Sequence, residues 1–284
     1  MLKTKIIFLW AGLAMLIAPV CVFGQKKAEN AAMLKQFINV CNSYKQLPLH
    51  ASITVRNAAD IITSADDTLQ YNIEFFIRDD NAYINMAGEV EVINDSLMLF
   101  INNRQKRMAL SQNPTGHIST QLNYVSNMFR QDSSISKMAA LYTAQQVTGI
   151  VKNGEPAADT IILKSRALMP GTQLPKEMIK VAYRVGSQQP LSIVQSHVKM
   201  IPLSADNYNE LEKNALYPGK LVNTGKGYYF LIKDASTEYV FTHIDNDAST
   251  QMPLQISNCI EKNARGKYVP AKGFEGFLFS NDND

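Results

Sequence analysis

Apolar and polar positions change period several times along this chain, and each change marks an element. Met33, Phe37, Val40, Cys41 and Tyr44 recur at three- and four-residue spacing, and Leu34 and Ile38 widen the stripe. Lys35, Gln36, Asn39 and Asn42 fall on the other side. That pattern predicts an amphipathic helix over residues 28–46, ended by Pro48 and in need of a concave apolar partner. From residue 50 the period becomes two. Residues 50–56, 69–78, 82–86, 89–92 and 97–101 alternate, with turn signals at Asp79-Asp80-Asn81, Gly88 and Asn94-Asp95, and Arg107–Leu110 closes the run. Short alternating segments separated by tight turns predict an antiparallel meander. One face of this meander is expected to carry Ile53, Val55, Tyr71, Ile73, Phe75, Ile77, Ile84, Met86, Val90, Val92, Leu99 and Ile101. One-sided burial fits a sheet curled around a helix.

Beyond the loop 111–117, the spacing predicts helices over 118–131 and 134–144, then strand pairs at 145–152 with 159–166 and at 178–185 with 191–201. A short helix capped by Ser204 is expected over 204–214. Two more strands, 228–233 and 238–244, flank Asp234-Ala235-Ser236, and the tail GFEGFLFSNDND holds three Phe.

The first residues are of a different kind. Met1–Lys5 is basic, residues 6–18 (IIFLWAGLAMLIA) are apolar or small, Pro19 breaks the run, and Val22-Phe23-Gly24 sets small residues at −3 and −1 before Gln25. This is the anatomy of a cleaved secretory signal peptide, too short to span a bilayer. Cys21 is preceded by Pro19-Val20, a poor lipobox, so it is expected to leave with the leader. The expected organisation is a signal peptide at 1–24, a helix-plus-sheet unit at 25–203 and a β-rich C-terminal extension at 204–284.

Charge and composition narrow the function. Removal of Lys3 and Lys5 leaves 26 of the 28 Lys and Arg against 25 Asp and Glu. A near-neutral chain argues against sequence-independent nucleic-acid binding. No nucleophile elbow, P-loop, H-E-x-x-H, C-x-x-C or dinucleotide glycine fingerprint occurs, so no catalytic residue and no cofactor is expected. Gly225-Lys226-Gly227 reads as a hairpin turn. His50, His117, His197 and His243 share no ligand spacing, so no metal site is expected. Asp66-Asp67 and Asp79-Asp80 read as turn residues, and Glu89 and Glu91 as the polar face of a strand. Cys41 and Cys259 are a possible disulfide in an exported chain. Asp67-Thr68-Leu69, Asp95-Ser96-Leu97 and Asp159-Thr160-Ile161 resemble an O-glycosylation acceptor triplet of some Gram-negative envelopes, although turn chemistry alone also yields them.

The succession of leader, amphipathic helix and one-sided meander resembles the lipoprotein-carrier and lipoprotein-receptor (Lol-type) family of the Gram-negative envelope. The resemblance is carried by MLKQFINVCNSY, by FFIRDDNAYINMAGEVEVINDSLMLFINNRQKRMAL and by IKVAYRVGSQQPLSIV, over about residues 28–201. It implies an α+β fold in which an antiparallel half-barrel curls around the N-terminal helix and holds acyl chains in an apolar concavity. The expected cavity residues are Met33, Phe37, Val40 and Tyr44 from the helix, and Tyr71, Ile73, Phe75, Ile84, Met86, Val90, Val92, Leu99 and Ile101 from the sheet. The expected function is that of an exported, non-enzymatic protein of the periplasm or outer-membrane face. It would bind a lipid or an acylated protein, with an envelope protein as a further partner and no transmembrane span. The alternative is a structural or assembly component with a filled core that works through its surface or its C-terminal extension.

Overall fold

The computed structural model describes residues 28–43, 47–79, 81–113, 135–149 and 158–281. The leader, Tyr44, His117 and the expected helix at 118–131 lie outside them. The described chain is mostly β with few helices. Its strands are β1 (Leu49–Ala59), β2 (Gln70–Arg78), β3 (Asn81–Met86), β4 (Glu89–Ile93), β5 (Leu97–Asn102), β6 (Arg107–Gln112), β7 (Tyr142–Val147) and β8 (Ala158–Ser165). They continue with β9 (Glu177–Arg184), β10 (Pro190–Leu203), β11 (Leu221–Asn223), β12 (Tyr229–Asp245), β13 (Ile260–Lys262), β14 (Tyr268–Pro270) and β15 (Leu278–Asn281). Residues 28–43 are helical, and short helices α1 (Ile135–Leu141), α2 (Ala205–Lys213) and α3 (Ile256–Cys259) follow. No helix among the described residues is long and apolar enough to cross a membrane.

Thirteen strands form one open sheet, ordered β15-β6-β5-β4-β3-β2-β1-β12-β10-β9-β8-β7 with β11 beside β12. Every pairing is antiparallel except that of β15 with β6. Chain on both sides of residue 204 builds this sheet, since β12 lies between β1 and β10. The hairpins from β2 to β6 follow the expected alternation, joined by tight turns.

Two expectations change. The two strands around Asp234-Ala235-Ser236 are one strand, β12. Its polar middle is held flat from both sides, with Ser236 opposite Ala58 and Ser196, and Ala235 opposite Ala59 and His197. The helix expected over 134–144 ends at Leu141, because residues 142–147 pair with β8 instead. The Ala144 N–H then donates to Asn30 Oδ1 at 2.7 Å, tying β7 to the helical residues 28–43. Residues 107–112 close the run of hairpins as expected, and β15 adds in parallel beyond them. The expected Ser204 cap is present, its hydroxyl accepting from the Asn207 N–H at 3.2 Å.

A row of apolar residues crosses six strands on one face. Ile161 faces Val181, Val181 faces Ile193, Ile193 faces Tyr239, Tyr239 faces Val55, and Val55 faces Tyr71. Leu34, Phe37, Val40 and Cys41 belong to the same cluster, as does Met138 of α1.

A buried ion pair fastens the loop after β1 to β12. Lys233 Nζ donates to Asp67 Oδ2 at 2.6 Å, with the two side chains only 4% and 9% exposed. Asp67 also accepts from the backbone N–H groups of Thr63 and Ser64. Lys233 first, and those N–H groups next, hold the Asp67 carboxyl well below the usual carboxylate range. A depressed folded-state pKa contributes stability above the unfolded value and loses it as pH falls through the folded one. The protein is therefore expected to weaken below about pH 4, near the unfolded Asp value. Asp67→Asn should lower the neutral melting temperature and flatten that acid limb, as melts from pH 2 to pH 7 would show; an unchanged limb contradicts this role.

Candidate functional site

The turns decide which expected cavity residues meet. Ile73 pairs with Met86 and Phe75 with Ile84, so these four share a face with Tyr71, two residues before Ile73. This first face is the one that carries the row described above. The connection from β3 to β4 is a two-residue turn, Ala87-Gly88, both at positive φ, so Met86 pairs with Glu89. Glu89 and Glu91 therefore lie on the Met86 face, and Val90 and Val92 lie on the other. Leu99 pairs with Val92 and Ile101 with Val90, which puts them there too. Val90, Val92, Leu99 and Ile101 thus do not line a space with Tyr71, Ile73 and Phe75. They belong to a separate cluster on the second face, covered by Met252, Leu254, Ile256, Cys259, Phe274 and Phe277.

On the first face, the part beneath residues 28–43 is filled. Phe37, Val40, Ile73 and Phe75 are each no more than 5% exposed, and Met33 is half-buried. Toward β5, β6 and β15 the same face opens. Ile84 and Met98 still pack on the cluster, but Met86 and Phe100 are 40% exposed and Leu278 is 69% exposed. A groove of about 470 Å³ lies here, lined by Phe100, Asn102, Arg107, Ala109, Leu278 and Ser280. Glu91 pairs with Phe100 on this face, and its burial raises the carboxyl pKa. A depression of about 730 Å³ over β1, β2 and β3 is lined by Ser52, Thr54, Asn72, Glu74, Asn85 and Arg104, a polar set unsuited to an acyl chain.

The remaining candidates have local explanations. Cys41 and Cys259 are both buried, one in each cluster, and are not bridged to each other. Burial pushes the Cys259 thiol up to about 12, which makes it a poor nucleophile. Asp159 is buried and accepts from Gln146 Nε2, Asp95 and Ser96 bond each other in the β4–β5 turn, and Asp67 serves the Lys233 pair. His197 lies 4.0 Å from Glu177. What the search for ligand spacing missed is a cluster of His50, His243 and Asp245, whose donor atoms all lie within 4.8 Å of one another. Its sequence signal was His243-x-Asp245, two donors on one face of a strand, while His50 arrives only through the β1–β12 register.

No protein-family model and no curated protein matches the chain. Among solved structures, a DUF1329 family protein from Desulfovibrio piger is similar at 8% identity, over 78% of this chain and 95% of that one. Its TM-score of 0.26 is too low to transfer fold or function.

Proposed function

We propose that this is an exported, non-enzymatic protein of the cell envelope that binds an acyl chain, from a lipid or an acylated partner. The observation that carries the reading is the open groove beside Phe100, in which Phe100, Ala109 and Leu278 stand with a polar margin of Asn102, Arg107 and Ser280. It continues a packed apolar face and falls within the size range of ligand clefts, about 300–1,000 Å³. In this reading the sheet curls as a half-barrel around residues 28–43, supported by the Asn30 contact to β7 and by Phe37 and Val40 packing among residues of β1, β2, β8, β9 and β10. Export to the periplasm or the outer-membrane face is supported by the leader-like residues 1–24.

The acyl chain occupies the groove, not the space under residues 28–43, where side chains already fill the interior. That filling is the observation favouring the second reading, a structural or assembly protein acting through its surface. Burying about twelve methylenes yields roughly 10 kcal/mol from area removed from water. Lost translational and rotational freedom offsets at least about 4 kcal/mol of it. Binding of a fluorescent fatty-acyl probe is therefore expected at tens of micromolar. A probe that stays unbound at millimolar protein leaves only the second reading.

A further inference from the structure

The geometry points to a divalent transition-metal site of the zinc class on the second face of the sheet, held by His50, His243 and Asp245. Strand periodicity sets His243 and Asp245 on one side of β12. The β1–β12 register then places His50 directly opposite Asp245 and Ser52 opposite His243, so the three donors converge across two strands. Their donor atoms lie within 4.8 Å of one another. Closure by up to about 1.5 Å brings them to the edge length of a tetrahedral zinc site with bonds of about 2.0–2.1 Å. His243 is exposed and can make that movement.

His50 supplies a second, independent observation. Both its ring nitrogens are shut off from solvent and neither has a hydrogen-bond partner. Buried imidazole nitrogens are normally satisfied, and two orphaned ones on a single ring need a reason. The ring is also held in place: it stacks on Phe76 at 3.8 Å between centroids, with His243 tilted against it at 4.5 Å. Glu74 Oε1 lies 3.5 Å from Nε2. Glu74 thus stands ready to take the proton of one ring nitrogen once a metal engages the other, the carboxylate–histidine arrangement common around zinc.

Asp245 is oriented in the same way. Its Oδ1 accepts from the Asp247 N–H and its Oδ2 from the Thr250 hydroxyl, both at 2.8 Å. Each oxygen keeps a lone pair for a metal. The loop that supplies these bonds is anchored by Arg78, which donates to the carbonyls of Ala248 and Thr250. Two imidazoles and one carboxylate suit zinc and its neighbours better than calcium or magnesium, which prefer all-oxygen shells. Three protein ligands leave a position for water or for a donor from a partner.

Zinc chloride titrated calorimetrically into the purified protein, in a non-chelating buffer, tests the site. One zinc per chain is expected, with a dissociation constant of about 10 μM or tighter. His243→Ala should weaken binding at least about 30-fold without moving the zinc-free melting temperature, since this side chain is exposed. His197→Ala, at a separate histidine, should bind as the unmodified protein does. Failure of the unmodified protein to bind zinc below about 100 μM overturns the assignment. So does full affinity in His243→Ala, or an equal loss in His197→Ala.

Discussion

Deletion of residues 251–284 is expected to abolish folding to a soluble monomer. This segment supplies Met252, Leu254, Ile256, Cys259, Ile260, Phe274, Phe277 and Phe279, which cover the second face of the β3–β6 sheet. Beneath them Val92, Leu99, Ile101, Met108 and Leu110 are at most 1% exposed. Returning five such side chains to water forfeits about 1.5–3 kcal/mol each, comparable to the whole stability of a typical domain, about 5–15 kcal/mol. The deletion also strips β15 from β6 and leaves β6 as a bare apolar edge, which favours edge-to-edge association. Gel filtration and thermal circular dichroism should show aggregate, or a chain with no cooperative melt. A monomeric fragment that melts cooperatively would mean that the C-terminal segment is dispensable to the sheet.

Phe75→Ala should cost about 3–5 kcal/mol, the range for removing a buried phenylalanine and leaving a cavity. Phe75 is 1% exposed and pairs with Ala51 on one side and Ile84 on the other. Ala51 is itself fully buried, and its small side chain leaves the space that the Phe75 ring fills. Little can collapse into a hole made there. Urea unfolding of the variant measures the cost. A loss under about 1 kcal/mol would mean that this part of the first face is already open, and would move the acyl site under residues 28–43.

The sequence made the hairpins between residues 69 and 110 legible because each alternates at period two and each turn carries Asp, Asn or Gly. The Ser204 cap was legible for the same local reason. Which face each strand buries was not, because parity is set by turn length. Counting Ala87-Gly88 as a two-residue connection makes Met86 face Glu89, and the faces of Val90, Val92, Leu99 and Ile101 follow. The apolar residues of β4 and β5 then need their own cover, which the phenylalanines of the tail provide. The length of β12 and its place between β1 and β10 depend on partners at least 26 residues away in sequence, and nothing local to Asp234-Ala235-Ser236 announces them. The His50–His243–Asp245 cluster was hidden for the same reason.

The acyl site is tested most directly by equilibrium titration of a fluorescent fatty-acyl probe against the unmodified protein and Phe100→Asp. Phe100 is 40% exposed at the groove, so a carboxylate there leaves the two buried clusters intact. It does, however, set a charge against the bound chain. Saturable binding to the unmodified protein is expected, displaced by unlabelled fatty acid and weakened at least about tenfold in Phe100→Asp, which still melts cooperatively but at a lower temperature because Glu91 lies opposite. Equal affinity in the two proteins would contradict it.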